Sequence, residues 1–309
     1  MRLGIDLGGT NIAGGIVSDD GKVLAKKSIP TRADRGPAAV LADIAQLCKE
    51  LMSESATPMR HVGIGCPGTV NSAEGIVLLA PNIDFRNIPV SQELSGLLNI
   101  PVLVDNDANC AALGEAKYGA ARGSQNSITV TLGTGIGGGI IIGGKIYTGT
   151  FFGAGEVGHQ IIRAGGNICG CGRRGCWEAY ASALSLIRKS QQWEHRVTTS
   201  RIYEMAGGNP AGITAKIIFD AAGAGDGLAR EVVDEYVNDL CIGLANLINI
   251  FQPDVMVIGG GVSGHGQGLL DAIECRMPDM VFAGDVVTKF VIAQLGNDAG
   301  IVGAACLSE

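Results

Sequence analysis

Two stretches of this chain carry the same order of residues, and few folds accommodate that order twice. Leu3 to Leu7 is apolar around Asp6, Gly8-Gly9-Thr10-Asn11 makes a turn, and Ile12 to Val17 resumes the apolar run before Asp19-Asp20-Gly21-Lys22. In the other half Ser127 to Leu132 forms the first run, Gly133-Thr134-Gly135 the turn, and Gly137 to Ile142 the return before Gly143-Gly144-Lys145. Apolar runs bounded by glycine turns predict β-hairpins rather than strand-loop-helix units. One loop-bearing hairpin per half is an internal repeat. Glycine, at 48 of 309 residues, is about twice its usual share of ~7%. It clusters beside these runs with no collagen period, which predicts loops where backbone comes close to something.

Between the hairpins, Pro37 to Ala56 places Val40, Leu41, Ile44, Leu47, Cys48 and Leu51 at three- and four-residue steps, the stripe of an amphipathic helix. Short strands at Val62 to Gly65 and Val102 to Asp105 follow. In the second half, Leu228 to Phe251 carries Val232, Val233, Tyr236, Val237, Leu240, Leu244, Leu247 and Ile248, a long buried helix. It leads into the apolar strand Val255 to Ile258 and the loop Gly259-Gly260-Gly261. This order predicts two α/β domains with mixed sheets and a cleft between them, with a boundary near residues 115 to 120. A hydrophobic share of 46% supplies apolar surface for two cores.

A net charge of −7 with scattered Lys and Arg leaves no basic stripe for nucleic acid or an anionic membrane. Met1 runs directly into Arg2-Leu3-Gly4-Ile5-Asp6 with no leader pattern, and no stretch has 18 uninterrupted apolar residues. The expectation is a soluble, cytoplasmic protein. Nine cysteines are odd for a disulfide framework, and three crowd into residues 169 to 176. That favours a reducing compartment and one metal site.

Asp6-Leu7-Gly8-Gly9-Thr10-Asn11 sits at a strand end, where backbone N–H groups can face a phosphate and Thr10 and Asn11 add donors. A plain hairpin turn accounts for the same residues. Gly133-Thr134-Gly135-Ile136-Gly137-Gly138-Gly139 contains GxGxxG, but a strand-like segment follows it rather than a helix, which argues against a dinucleotide fold. Neither stretch has the P-loop order, so a nucleotide would be held by two hairpin loops. Asp105-Asn106-Asp107-Ala108-Asn109 ends a strand and opens an Ala-rich helix to about Lys117. Asn106 or Asp107 is there a natural N-cap. The same position lets a carboxylate accept a proton from a substrate hydroxyl, nearly all the acid-base help phosphoryl transfer needs.

His159, Cys169, Cys171 and Cys176, spaced HxxxxxxxxxCxCxxxxC, match a closed tetrahedral zinc site. Three incidental cysteines beside a surface histidine are the alternative. Four protein ligands leave no position for a reactive water, so the metal is structural. It would fix Glu156, Gly158 and Glu178 and orient the second ring nitrogen of His159. Two carboxylates and an imidazole suit vicinal hydroxyls, whereas Glu156 taken alone also reads as a solvated loop charge. On this reading metal loss weakens binding of the hydroxyl-bearing ligand and spares the nucleotide.

These residues resemble the ROK family of sugar kinases and sugar-responsive repressors. Gly133 to Gly139, Gly149 and Gly153 to His159 are similar to its signature. Glu156-Val157-Gly158-His159 and Cys169 to Glu178 are similar to its ExGH and CxCGxxGCxE motifs, and Asn297 to Ala304 is similar to its closing helix. The resemblance covers essentially the whole chain. It implies the actin-like (ribonuclease H-like) sugar-kinase fold, with ATP and Mg²⁺ in an interdomain cleft that closes over the sugar. Residues 1–117 with about 297–309 would form the smaller domain, and 118–296 the larger one carrying the zinc ion. Asp107 would be the catalytic base. Asn106 and the Gly68 backbone would hold ring hydroxyls, and Glu156, His159 and Glu178 the anomeric side. Asp6 would organise Mg²⁺, while Gly8, Gly9, Thr10, Thr134, Gly135 and Gly137 would hold phosphates. Gly259, Gly260 and Gly261 would border the adenosine. Asn11 stands where many members have Lys. The implied assembly is a homodimer or a dimer of dimers.

The family's repressors carry an N-terminal helix-turn-helix, whereas the first hairpin here begins at residue 3, so a kinase is expected. Pro67-Gly68, Ala80-Pro81-Asn82, Asn106-Asp107 and Cys176-Trp177-Glu178-Ala179 resemble the branch acting on glucose. N-acetylmannosamine and N-acetylglucosamine are the alternative substrates.

Overall fold

The computed structural model describes residues 1–192, 198–282, 284 and 286–308. Both glycine-turn hairpins form. Strand β1 (Arg2–Leu7) pairs antiparallel with β2 (Asn11–Val17), in a register that sets Leu7 opposite Ile12 and Ile5 opposite Gly14. β2 pairs antiparallel with β3 (Val23–Pro30), which alternates between half-buried and exposed residues as a one-sided strand should. β4 (Val62–Cys66) joins β1 in parallel. A small sheet follows from β5 (Thr69–Asn71), β6 (Ile76–Ala80) and β7 (Phe85–Ile88). β8 (Val102–Asn106) then completes the first sheet, in the order β3-β2-β1-β4-β8.

Helix α1 (Pro37–Ser53) buries Val40, Leu41, Ile44, Leu47, Cys48 and Leu51, the stripe read from the sequence. It stops three residues short of the expected Ala56, where Ser53 turns its hydroxyl onto the Glu50 carbonyl and Ser55 forms a local turn with Thr57. These side chains pack with Leu3, Ile5, Leu7, Ile64 and Val104 of the sheet and with Val90 and Leu94 of α2 (Val90–Leu98). Full burial of each such side chain contributes about 1.5–3 kcal/mol. Helix α3 (Asp107–Tyr118) follows β8 directly.

The second hairpin is β9 (Ser127–Leu132) and β10 (Ile136–Ile142), followed by the short β11 (Lys145–Ile146). With β12 (Val255–Gly259) and β13 (Lys289–Ile292) they form a sheet of order β11-β10-β9-β12-β13. The long helix Gly227–Phe251 buries Val232, Tyr236, Val237, Leu240, Leu244, Leu247 and Ile248, and Asp226 caps it by accepting from the Ala229 N–H at 2.8 Å. Between β11 and that helix lie α4 (Glu178–Ala181) and α5 (Ala183–Gln191).

The closing helix Ala299–Ala305 lies on β1 and β4 with almost no space between backbones. A Cβ at Gly4 would stand 1.9 Å from the Ile301 carbonyl oxygen, and one at Gly63 would stand 1.7 Å from that of Ala304. Only glycine permits this approach.

The chain divides into two compact units. One is Met1–Thr129, Gly139–Gly155 and Gln294–Glu309; the other is Val130–Gly138 and Glu156–Ala293. The division thus lies later than the expected 117/118, and the first unit takes back part of the second hairpin. Packing gives the reason: Ile141 joins Ala112, Leu113 and Cys306 in one apolar cluster. At the other crossing, the buried Glu115 carboxylate accepts from the Gln294 and Leu295 N–H groups at 3.1 and 2.8 Å, so the returning segment is held from 294 rather than 297.

Candidate active site

In the first unit the loop Gly8-Gly9-Thr10 is closed by the Gly8 N–H on the Asn11 carbonyl at 2.9 Å, and Gly9, Thr10 and Asn11 are exposed. The buried Thr31 holds it from behind. Its hydroxyl donates to the Gly8 carbonyl at 2.7 Å, and its N–H donates to the Thr10 carbonyl at 2.8 Å. Sequence reasoning missed Thr31, which follows Pro30 with no motif around it.

Asn106 is the N-cap of α3: its Oδ1 accepts from the N–H groups of Ala108 and Asn109 at 2.9 and 3.1 Å. Its Nδ2 donates to the Gly68 carbonyl at 2.9 Å, so the expected pair Asn106 and Gly68 is brought together. The capping account therefore holds for Asn106, which leaves Asp107 in the first turn, where the helix end favours a negative charge. One Asp107 oxygen accepts from the Ala108 N–H at 2.8 Å. Burial pushes its carboxyl above the usual carboxylate range, with that N–H opposing. Asp105, also unmarked by the sequence reading, is buried and braces the turn by accepting from Asn106 N–H at 2.6 Å and Asn109 Nδ2 at 2.9 Å.

Asp6, at the end of β1, is pushed up to about 6 by burial and by the Asp107 charge, against the opposing pull of Lys26. Its carboxylate faces Gly300, where a Cβ would stand 2.9 Å from it. A carboxyl moved from 3.8 to about 6 costs the ionised folded state up to about 3 kcal/mol. The folded chain binds more protons than the unfolded one between those pH values, so this cost is absent below 3.8 and complete above about 6. Asp6→Asn should therefore raise the thermal midpoint at about pH 7.5, with the gain shrinking as pH falls from about 6 toward 4. Melting curves across that range check it, and a gain independent of pH would contradict the burial cost.

In the second unit His159, Cys169, Cys171 and Cys176 converge, with their ligand atoms all within 4.8 Å of one another. Cys171 Sγ lies 3.7 Å from Cys176 Sγ, and Cys169 Sγ lies 3.7 Å from His159 Nδ1. Tetrahedral zinc with bonds of about 2.3 Å to sulfur needs sulfurs about 3.8 Å apart. The donor set and spacing fit that ion. Burial pushes the Cys169 thiol up to about 12, whereas the Arg173 N–H lowers that of Cys171. A bound dication is what would hold all three as thiolates.

With Nδ1 turned to the cluster, His159 Nε2 faces Glu156, 3.9 Å from its Oε2. Glu178 Oε1 lies 3.5 Å from Cys169 Sγ. Glu156, His159 and Glu178 are thus gathered about one cluster. The second loop closes through the Gly133 N–H on the Gly135 carbonyl at 3.0 Å. Gly260, at φ +82°, lies against the backbone of Leu132, the residue before that loop, where a Cβ would come within 2.4 Å of the carbonyl oxygen. The Gly259 to Gly261 turn is therefore seated at the base of the second loop.

The model of the ROK family matches residues 2–309. A glucokinase of Thermotoga maritima is 39% identical, covering 99% of this chain and 96% of that one. An N-acetylmannosamine kinase of Escherichia coli is 31% identical, covering 99% and 98%. The crystal structure of a ROK glucokinase from Streptomyces griseus, in complex with glucose and AMPPNP, superposes with a TM-score of 0.84 at 37% identity, covering 99% and 98%. With matches of this extent and a two-unit α/β architecture built on paired glycine hairpins, the chain belongs to the ROK family and has its sugar-kinase fold.

Proposed function

We propose that this chain is an ATP-dependent hexose kinase that converts glucose to glucose 6-phosphate. The observation that carries this is Asp107, a carboxylate in the first turn of α3, braced by Asp105 and Asn106, in a chain similar over its whole length to glucokinases. Asp107 accepts the proton of the attacking hydroxyl, and positioning supplies most of the remaining rate. Asn106, Gly68, Glu156, His159 and Glu178 bind the sugar hydroxyls. The N–H groups of Gly9 and Thr10 and of Thr134, Gly135 and Gly137 bind phosphate oxygens, while those of Gly8 and Ile136 brace the two loops on Asn11 and Glu178, and Gly259 to Gly261 border the nucleoside. Asn11, short and uncharged, adds at most a hydrogen bond.

Asp6 would hold Mg²⁺. It is a hard oxygen donor held up at about 6 by burial and by Asp107, so a divalent cation would meet uncompensated negative charge there. Held there, the ion would supply positive charge that offsets the negative charge of the nucleotide phosphates. Zinc, held by His159, Cys169, Cys171 and Cys176, would supply structure rather than chemistry. Among the described residues no helix is long and apolar enough to cross a membrane, which supports our reading of a cytoplasmic enzyme. The family resemblance supports assembly as a homodimer or a dimer of dimers.

The second reading, an N-acetylhexosamine kinase, is favoured by the relative at 31% identity. ADP release over glucose, mannose, fructose, allose, N-acetylglucosamine and N-acetylmannosamine separates the two. The expected result is the highest kcat/KM on glucose. Faster turnover on an N-acetyl sugar would reject glucose, and no ADP release with any hexose would reject the kinase.

A further inference from the structure

The segment that follows the last cysteine of the cluster clasps the second glycine loop at two points. Ala183, which opens α5, donates its N–H to the Gly133 carbonyl at 2.9 Å. Glu178, which opens α4, accepts the Ile136 N–H on Oε2 at 2.9 Å. A Cβ at Gly135 would stand 2.3 Å from that oxygen, so glycine at 135 is what lets the carboxylate reach the loop. The other carboxylate oxygen is the one that lies 3.5 Å from Cys169 Sγ.

Glu178 cannot swing aside at little cost. Trp177, immediately before it, is fully buried, donates its indole N–H to the Asp239 carbonyl at 3.0 Å, and packs where Gly243 leaves room for the ring. Tyr180 receives the Asn167 N–H on its hydroxyl at 2.5 Å, and the Arg163 guanidinium lies over its ring at 4.7 Å. Both anchors tie α4 to the long helix or to the turn that leads into the cysteines. A shift of Cys169 or Cys176 is thus passed through a short rigid element to the Ile136 amide.

We infer that Glu178 is a positioning residue for the nucleotide loop, so that the cysteine-histidine cluster sets nucleotide affinity as well as sugar affinity. This rests on the kinase reading, in which Thr134 to Gly137 hold phosphate oxygens. The expected separation, with metal loss sparing the nucleotide, does not survive it. Removing the acceptor leaves the Ile136 N–H unpaired and the loop free to reorient, which at the cost of one such bond weakens nucleotide binding by about tenfold.

The test measures binding of a fluorescent ATP analogue with Mg²⁺ and no sugar, alongside metal content and thermal midpoint. Glu178→Ala should lose about tenfold in nucleotide affinity. Glu178→Gln, whose amide oxygen still accepts from Ile136, should stay within about twofold of the unmodified chain, although both variants lose sugar affinity. Gly135→Ala keeps the carboxylate but pushes it off the loop, and should reproduce the nucleotide loss if Glu178→Ala does not fold. Equal nucleotide affinity in all three variants, or equal loss in Ala and Gln, overturns the inference. Failure of the unmodified chain to bind the analogue overturns the kinase reading instead.

Discussion

Asp107→Asn should lower kcat by about 10² to 10⁴ while leaving glucose affinity within a few-fold, because loss of a general base is worth that much and loss of a neutral hydrogen-bonding shape is not. The substitution is conservative for the fold. Asn106, not residue 107, caps α3, and an asparagine oxygen at 107 can still accept from the Ala108 N–H. What disappears is the capacity to take a proton. A carboxylate in the first helical turn is also favoured by the helix end, so a small part of any stability change has that origin, opposed by relief of the burial cost. Turnover and equilibrium sugar binding on the same preparation check the split. Near-normal turnover would remove Asp107 from the reaction, and equal loss in both would make it a sugar-binding residue only.

Chelation, or Cys171→Ser, should have the largest effect on structure. Free energies of zinc binding to small four-ligand sites run to about 10 kcal/mol or more, much of it folding energy of the enclosing loop. Residues 156 to 177 form no strand or α-helix of their own, only a short 3-10 turn and isolated bridges such as Ile161 with Cys176 and Ile168 with Arg174. Cys171 is exposed whereas Cys169 and Cys176 are buried, so a chelator or thiol reagent reaches that ligand first. Purified protein should hold about one zinc per chain, the stoichiometry of a single closed site. On its removal, glucose affinity should fall by more than about tenfold, with loss of protease resistance confined to this loop. Substoichiometric metal with full activity would show that the cluster serves no metal.

Much of this was legible in the sequence wherever the cause is local. Apolar runs interrupted by glycine turns specify both hairpins without reference to the rest of the chain, and the stripe Val40, Leu41, Ile44, Leu47, Cys48, Leu51 specifies the buried face of α1. The cysteine spacing specifies the cluster because its ligands lie within 18 residues. What stayed hidden depends on residues far apart. Thr31 acts on Gly8 only because β3 returns beside β2. Glu178 reads as a sugar-binding acid from its motif, whereas its bond to Ile136 spans 42 positions and has no local trace. The small sheet of β5, β6 and β7 has strands of three to five residues, too short for a period to declare itself. The compact units depart from a division at 117/118 because Ile141, read as one more apolar strand residue, packs with Ala112, Leu113 and Cys306.

The close seating of Ala299–Ala305 on Gly4 and Gly63 governs the order in which the chain can mature. β1 and β4 are made before the surface they must rest against, which is translated after everything else in that packing. Until Ala299–Ala305 is made, the nascent first unit carries an unsealed apolar face. Such maximally non-local closure is slow and exposes the chain to aggregation in the interval. The second unit draws nearly all its residues from the single span Glu156–Ala293, so less of its packing joins the two ends of the given sequence. Quality control in the cell should therefore meet this protein mostly through its first unit, as a partly sealed sheet awaiting its last helix.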